Sequence, residues 1–367
     1  MSFFLFLRQN DKDWKMSKQE VIICKSFGSE LEAALASHTY NKLFVLTDDN
    51  TRRLCLPLVN CLDCLAGAEV ITVGAGDIHK NLETLASVWK VLSTAGATRR
   101  SLMLNLGGGM VTDLGGFVAA TFKRGISYIN VPTTLLSMVD AAVGGKTGIN
   151  FLNLKNEIGA FAPADTVLID CSFLKTLDKE NILSGYAEML KHGLISNVDK
   201  WSELVKFDMD DIDYSLLQQL VGKSVEVKEN IVAQDPFEHG IRKALNFGHT
   251  VGHAFESFAL EKSPVLHGYA VAWGMVCELY LSALRCGFPS DKLHQTLRFI
   301  KENYGCLPIS CDDYPKLYGF MLHDKKNVSA GKINFTLLGD VGDIRINQTA
   351  DEKEIYEILD FYRETMG

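Results

Sequence analysis

The stretch that decides the fold is Ser101–Asn156, SLMLNLGGGMVTDLGGFVAATFKRGISYINVPTTLLSMVDAAVGGKTGINFLNLKN. An apolar run, Leu102–Leu106, ends in Gly107-Gly108-Gly109, and a short polar step to Asp113 leads into the small-residue segment GGFVAAT. That pattern predicts a strand, a tight turn and a helix start, the arrangement in which backbone N–H groups approach a phosphate. A second strand, Ser127–Val131, ends in Pro132-Thr133-Thr134, and a third glycine turn, Gly144-Gly145, carries Lys146. Three such turns in one stretch point to one large anionic ligand or to two ligands side by side. A glycine triplet alone signals no more than a β-to-α turn with positive φ, and the spacing is not Gly-x-Gly-x-x-Gly. Density is the stronger signal. Asp113, Arg124, Asp140, Lys146, Lys155 and Asn156 all fall at predicted element ends, where ligands bind in open α/β sheets.

Outward from this stretch the first half alternates strands and helices. Val21–Cys24 reads as a strand, Ser29–His38 as a helix, and Lys42–Leu46 as a β-rich run whose polar end, Thr47-Asp48-Asp49-Asn50, caps the next helix. Glu69–Val73 is a further strand, Asp77–Thr94 an amphipathic helix stopped by Gly96, and Thr166–Asp170 one more strand. Alternation of this kind predicts an N-terminal, doubly wound, Rossmann-like and mostly parallel sheet. After Asp178 the texture changes. Lys179–Ile195, Leu216–Gln234, Phe247–Leu260, Gly268–Arg285 and Pro289–Tyr304 show helical periodicity, and Glu352–Thr365 reads as a terminal helix. Strand character returns only at Lys332–Leu338. The expectation is an α/β domain over residues 1–177 and an all-helical domain over 178–367, with the active site in the cleft between them. Residues 1–16 are read as an arm or a start-site extension outside the fold, with Met16 as an alternative start.

At 367 residues the chain is long enough for two domains with sizeable cores. A net charge of −8 disfavours nucleic acid or an anionic membrane surface as partner, though a local basic pocket can still bind an anion. No apolar run approaches the about 20 residues that span a bilayer. The nine cysteines lack framework spacing, which fits reduced thiols and a cytoplasmic setting. Cys61-x-x-Cys64 has no second pair and is read as packing within a Leu-rich helix, not as a zinc or redox site.

The helical half contains Asn246-Phe-Gly-His249-Thr-Val-Gly-His253. Histidines at i and i+4 share a helix face, the spacing that lets both reach one metal. Thr250 stands where a metalloprotease would carry glutamate, so that reading fails. His267 opens another helix, and Glu188 lies on an earlier one with Lys191 a turn away. One Glu with two or three His is a plausible catalytic metal set with an open position. Spacing leaves open which of His249, His253 and His267 bind. Lys228 and Arg242 bracket the loop Asp235-Pro-Phe-Glu238 that leads back to the histidine helix, placing two cations near the metal candidates, enough for a carboxylate or a phosphate.

Taken together, GGGMVTDLGGFVAAT, KRGI, VPTTLLSMVDAAVGGKTGIN, KNEIGAF, GYAEMLKHG, LNFGHTVGHAFE, HGYAVAWGM and DKK occur in one order that resembles 3-dehydroquinate synthase, within the wider sugar-phosphate cyclase family. The resemblance runs from about Lys42 to the C-terminus. It implies metal ligands Glu188, His249 and His267, with zinc as the default and cobalt or manganese as alternatives, and leaves His253 facing substrate. It implies an NAD site lined by Asp48, Asn50, Asp77, Lys80, Gly108, Gly109, Asp113, Thr133, Thr134, Leu136, Lys155, Phe173, Thr176, Leu177 and Glu180. The implied contacts for a sugar-acid phosphate are Asp140, Lys146, Asn156, Lys191, Lys228, Arg242, Asn246, His253 and one of Lys325 and Lys326. Lys146, Lys191, His253, Asn156 and Arg124 carry the implied catalytic roles. Arg124 matches an arginine that reaches the neighbouring subunit's site, which implies a homodimer. Three positions depart from the family pattern: Asp77 stands for a usual glutamate, a glutamine is missing before Pro163, and Asp178 replaces a common proline. The resemblance implies conversion of 3-deoxy-D-arabino-heptulosonate 7-phosphate to 3-dehydroquinate and phosphate, a lyase reaction in which NAD is regenerated.

Overall fold

The computed structural model describes residues 19–152, 154–322 and 333–367. Its first half contains strands β1 (Glu20–Ile23), β2 (Leu43–Asp48), β3 (Glu69–Val73), β4 (Leu102–Gly107), β5 (Ser127–Pro132), β6 (Lys146–Phe151), β7 (Leu154–Phe161) and β8 (Thr166–Ile169). Six of them form one parallel sheet in the order β1-β8-β5-β4-β2-β3. Central strands β2 and β4 are buried at every position, as expected of parallel strands covered on both faces. Edge strands β1 and β3 are partly exposed.

The strand order reverses at the β2–β4 pair. β2 leads outward to β3, whereas β4 leads the other way to β5 and β8. The crevice between their carboxyl ends is where an open α/β sheet binds ligand, and here it is bounded by Asp48 and by Gly107–Gly109.

The same half carries helices α1 (Phe27–Ala36), α2 (Asp49–Leu54), α3 (Leu56–Val59), α4 (Leu82–Thr94) and α5 (Gly109–Thr121). Asp48 ends β2 and also caps α2: its carboxylate accepts from Thr51 N at 2.7 Å, and Thr51 Oγ1 accepts from Asp48 N at 2.9 Å. Such a capping box contributes about 1 kcal/mol to helix stability. The helix expected over Asp77–Thr94 is shorter. Residues Asp77–His79 form a 3-10 turn, and α4 begins after Asn81, whose side chain caps Thr84 N at 2.9 Å. Asn has a short side chain that competes for backbone N–H groups, so the helix starts there. The Leu-rich helix around Cys61 and Cys64 is also not formed: Cys61 is exposed in the turn after α3, and Cys64 lies in a 3-10 turn.

β6 and β7 are strands that the sequence pattern does not announce. They pair antiparallel in a separate hairpin and leave Phe151, Leu152, Leu154, Ile158 and Phe161 exposed. Gly145 and Lys146 begin this ribbon, so the third glycine turn launches a hairpin and not a helix.

The second half is built from α6 (Lys179–Leu194), α7 (Val198–Val205), α8 (Tyr214–Gln234), α9 (His249–Leu260), α10 (His267–Cys286), α11 (Ser290–Tyr304), α12 (Tyr314–Leu322) and α13 (Glu352–Met366). One antiparallel hairpin, β9 (Ile333–Asp340) with β10 (Asp343–Ala350), accompanies them. α10 runs through the middle, packing on α6, α9, α11, α13 and β9. Its apolar residues, such as Val271, Met275 and Leu279, are fully buried, so the helix carries no solvated face over most of its length. No helix among the described residues is long and apolar enough to cross a membrane.

Candidate active site

The glycine triplet works by close approach. None of Gly107, Gly108 and Gly109 has positive φ, which corrects the left-handed turn expected of them. A Cβ on Gly107 would lie 2.5 Å from Val111 Cβ, and one on Gly108 would lie 2.9 Å from Thr134 Cγ2. With Gly108 as N-cap and no side-chain cap, the first N–H groups of α5 are left facing the crevice. Asp113 lies one turn along α5 and receives Lys80 Nζ at 2.5 Å, and Lys80 also donates to Asn156 Oδ1. Lys80 is buried despite its charge, so this pairing is what makes its burial tolerable. Asn150 ties the ribbon to the same corner, donating to Asp77 Oδ2 at 2.9 Å and accepting from Asn156 N at 2.9 Å. Thr134 and Leu136 line the turn after β5 and are half-buried, while Thr133 is buried. Asn50 and Glu180 are exposed and Thr176 and Leu177 half-buried. Phe173 packs edge-on against Phe27 in the core, so only its backbone can reach a ligand.

Across the cleft, three helices converge. Glu188 of α6 is fully buried. Its Oε1 lies 3.5 Å from His249 Nε2 and 3.8 Å from His267 Nε2. The convergence depends on contact between α6 and α10: a Cβ on Gly268 would fall 1.9 Å from Ser184 O, and Gly268 N donates to Ser184 Oγ at 3.1 Å. Both histidines have their other nitrogen engaged. His249 Nδ1 meets Phe247 O at 3.1 Å, and His267 Nδ1 meets Glu256 Oε2 at 3.3 Å. Each imidazole therefore turns Nε2 toward Glu188, the tautomer and orientation a metal ligand needs.

His253 joins the same cluster, with ligand atoms of His249, His253 and His267 all within 4.8 Å of one another. Glu188 Oε1 is buried without a hydrogen-bond partner, although a buried carboxylate oxygen is costly to leave unsatisfied. A cation among Glu188, His249 and His267 would satisfy it. The donor set fits a divalent metal of the zinc, cobalt or manganese type.

The cationic side of the cleft is equally built. Lys191 of α6 pairs with Glu188 Oε2, both groups buried. Lys228 of α8 donates to Asp140 O at 2.7 Å and pairs with the Asp140 carboxylate. Burial raises the Asp140 pKa, but Lys228 and Lys191 outweigh it and hold the carboxyl well below the usual range. Burial pushes Lys228 down, against Asp140, with Lys191 and Arg242 adding to the depression. Arg242 is buried; its Nη2 donates to Gly144 O at 3.0 Å and its Nη1 to Pro236 O. Gly144, with φ of 100°, has room for no more: a Cβ there would stand 3.1 Å from Arg242 Nη2. Lys146 pairs with Glu238, which also accepts from Asn246 Nδ2 at 2.6 Å. Burial raises the Glu238 pKa, but Lys146, Asn246 and Arg242 together bring it below the usual glutamate value. A cavity of about 400 Å³ opens beside these groups, lined in part by Phe237, Glu238, Asn246, Thr250 and Asn334.

The fold thus brings together residues that lie far apart in sequence: the metal set, Asp140, Lys146, Lys191, Lys228, Arg242, Asn246 and His253. Lys155 reaches the same region from the ribbon, donating to Glu256 Oε1 at 2.7 Å. Arg124 is not brought in. It is exposed, in the turn after the C-terminal end of α5, while the glycine triplet sits at the other end, roughly 20 Å away along 13 residues of helix. Lys325 and Lys326 lie outside the described residues, as do residues 1–16. Sequence reasoning missed Glu238 and Glu256. Glu238 closes the Asp235-Pro-Phe-Glu238 loop that leads toward the metal candidates, and Glu256 lies seven residues after His249 on the same helix, two turns away on nearly the same face.

Comparison with known proteins agrees with this geometry. Family models for the N-terminal and C-terminal portions of 3-dehydroquinate synthase match residues 70–184 and 185–327. The chain is 58% identical over 353 residues to 3-dehydroquinate synthase of Parabacteroides distasonis, covering 96% of this chain and 100% of the relative. Among solved structures, 2-epi-5-epi-valiolone synthase of Streptomyces hygroscopicus, bound to NAD+ and Zn2+, superposes with a TM-score of 0.80 at 26% identity, covering 95% of this chain and 98% of the other. A 2-deoxy-scyllo-inosose synthase complexed with carbaglucose-6-phosphate, NAD+ and Co2+ shares the fold, with a TM-score of 0.83 at 21% identity over 94% of this chain and 96% of the other. Matched in both halves and along nearly its whole length, the chain belongs to the 3-dehydroquinate synthase family.

Proposed function

We propose that the chain converts 3-deoxy-D-arabino-heptulosonate 7-phosphate to 3-dehydroquinate and inorganic phosphate, the shikimate-pathway step of its family, using bound NAD and one divalent metal. The observation that carries the reading is the pairing of two sites across one cleft. The glycine-lined helix start at Gly108–Gly109 suits a pyrophosphate, and the buried Glu188–His249–His267 set suits a metal. NAD bound in two structural relatives, with Zn2+ in one and Co2+ in the other, supports the same cofactors here.

When bound, NAD supplies a reversible hydride acceptor and the metal supplies Lewis acidity toward neighbouring substrate hydroxyls. The remaining work belongs to side chains. Lys228 and Arg242 form the buried cationic corner that receives the carboxylate. Lys146, Asn156 and Lys191 hold the phosphate, with Arg124 of a second subunit completing the grip. Glu238, with one carboxylate oxygen on Lys146 and the other on Asn246, holds both side chains in place within the site. His253 presents an imidazole beside the metal set for proton exchange with substrate oxygens.

The dimer reading is supported by the exposure of Arg124 and by the apolar ribbon β6–β7, which packs along α5 and leaves five large apolar side chains uncovered. The NAD-domain and metal-domain division at residues 177 and 178 follows the same reading, since the sheet ends at β8 and α6 opens the helical part.

The test is phosphate release from the heptulosonate phosphate, with and without NAD and a chelator. Phosphate should appear only when NAD and metal are both present, without NADH accumulating. Steady NADH accumulation would instead indicate a polyol dehydrogenase of the same architecture, and absence of phosphate with both cofactors present refutes the reading.

A further inference from the structure

α9 begins in an unusual way. Its first residue is His249, its N-cap is Gly248 with φ of 79°, and no side chain of its own caps it. The missing cap comes from another helix. Glu278 of α10, fully buried, accepts from Gly248 N at 2.7 Å through Oε2, and from Thr250 N at 3.0 Å and Val251 N at 3.2 Å through Oε1. Both carboxyl oxygens are thus spent on the start of one helix, where the N–H groups and the helix dipole favour a negative charge.

The same two helices meet at a glycine seam. A Cβ on Gly274 would lie 2.1 Å from Gly248 O and 2.6 Å from Gly252 N. α10 therefore approaches the His249 turn as closely as backbone allows, and Glu278, one turn beyond Gly274, bonds that turn. α10 also opens with His267. One rigid helix consequently carries one metal-ligand candidate at its start and, eleven residues on, the clamp that holds the helix bearing the other.

We infer that Glu278 is a positioning residue for the metal centre: its bidentate cap on α9 sets where His249 Nε2 stands relative to His267 and Glu188. The chain of connection is short. His249 is oriented by Phe247 O at 3.1 Å, and the next residue, Gly248, is held by Glu278. Freed from Glu278, the Phe247–Gly248 turn loses the bond that fixes it, and the imidazole loses its aim. The inference rests on the metal reading of Glu188, His249 and His267. Nothing in the capping geometry requires Glu278 to touch metal or substrate.

The experiment is titration of Co2+ into the metal-stripped full-length chain, followed by its visible d–d absorption, for wild type and Glu278→Gln. The amide of E278Q keeps the shape of the carboxylate but turns a donor toward one of the backbone N–H groups. Wild type should bind one Co2+ per chain, whereas E278Q should bind at least about tenfold more weakly, with an altered d–d spectrum. NAD affinity, read on the other half of the molecule, should be unchanged. Wild-type Co2+ affinity and spectrum in E278Q, even with a lowered melting temperature, overturn the inference and leave Glu278 as a structural cap. An equal loss of NAD affinity overturns it as well, because the defect is then global. If E278Q does not fold, Glu278→Asp replaces it; this variant keeps the charge and shortens the reach, and unchanged Co2+ affinity in it has the same consequence. Failure of the wild-type chain to bind Co2+ refutes the metal reading itself, and the inference with it.

Discussion

Glu188 Oε1 stands 3.5 Å from His249 Nε2, across the gap between α6 and α9, and is buried with no hydrogen bond to any described residue. A cation would complete a carboxylate oxygen in that position, and the consequence is measurable. His249→Ala and His267→Ala should each abolish stoichiometric metal binding and lower kcat/KM by at least about 100-fold. His253→Ala should keep the metal and lose turnover. Metal analysis of the three purified variants separates ligand from proton carrier, and loss of metal in H253A would move His253 into the ligand set.

Arg242 does two things at once. Its two terminal nitrogens already hold Gly144 O and Pro236 O, so a substrate carboxylate would meet a guanidinium that is already anchored to the backbone. Arg242→Ala should reduce kcat/KM by roughly 100-fold to 1,000-fold, the cost of about 3–4 kcal/mol typical of removing a buried charge partner, and should lower the melting temperature too. Arg242→Lys should recover part of the stability and little of the activity, because one ammonium cannot bridge both carbonyls and a carboxylate. Thermal melts alongside kinetics check the split.

Asp140 predicts a pH dependence. Its folded-state pKa is held below the unfolded value, because Lys228 and Lys191 outweigh burial. The stability it contributes is therefore fully present above its unfolded pKa of about 4 and is lost as pH falls through the lower, folded value. Asp140→Asn strands Lys228 in a buried position and should cost up to about 3 kcal/mol near neutrality. The gap between wild type and D140N should narrow as pH falls below about 4, where the carboxyl takes up a proton in the unfolded chain while the folded Asp140 stays ionised. Denaturant midpoints at three pH values measure it; a gap that stays constant would show that the Asp140 carboxyl is not held below its unfolded pKa.

Arg124 offers a test of subunit sharing. Arg124→Ala and Lys191→Ala homodimers should each be nearly inactive. If the arginine acts in the neighbouring site, a mixed dimer contains one intact site, with Lys191 from one chain and Arg124 from the other. Co-expression with two tags, followed by isolation of the mixed species, should recover up to about half the wild-type activity per dimer, as one of two sites is whole. No recovery means that both residues serve the same chain's site.

The strand ends, the helix-bearing histidines and the glycine turns were legible locally because each follows from a short-range rule. Alternating apolar runs marked β2, β4 and β5, Asp48 announced the cap of α2, and the i, i+4 pair placed His249 and His253 on one face. What was not legible depended on distance in sequence. No local pattern showed that Lys146 would open a hairpin, since Gly145 and Lys146 could as well have started a helix and only pairing with Phe161 and Ala160 made β6. Nor could it show that Glu238 would meet Lys146, 92 residues away, or that Glu278 would cap a helix 28 residues before it.

The sequence by itself determined the kinds of chemistry present. It set the glycine-lined helix start, the metal-competent side chains and the cations, because residue type and spacing fix donor, charge and helix face. Only the tertiary structure decided which of these act together. Folding paired Lys191 with Glu188 and Lys228 with Asp140, and helix contact at Gly268 and Gly274 brought His267 and His249 within reach of one carboxylate. It also set Arg124 apart, at the far end of α5 from the site its sequence neighbours build. The physical reason is range. Capping and periodicity act over a few residues, whereas desolvation and ion pairing act through space, between atoms that only folding makes neighbours.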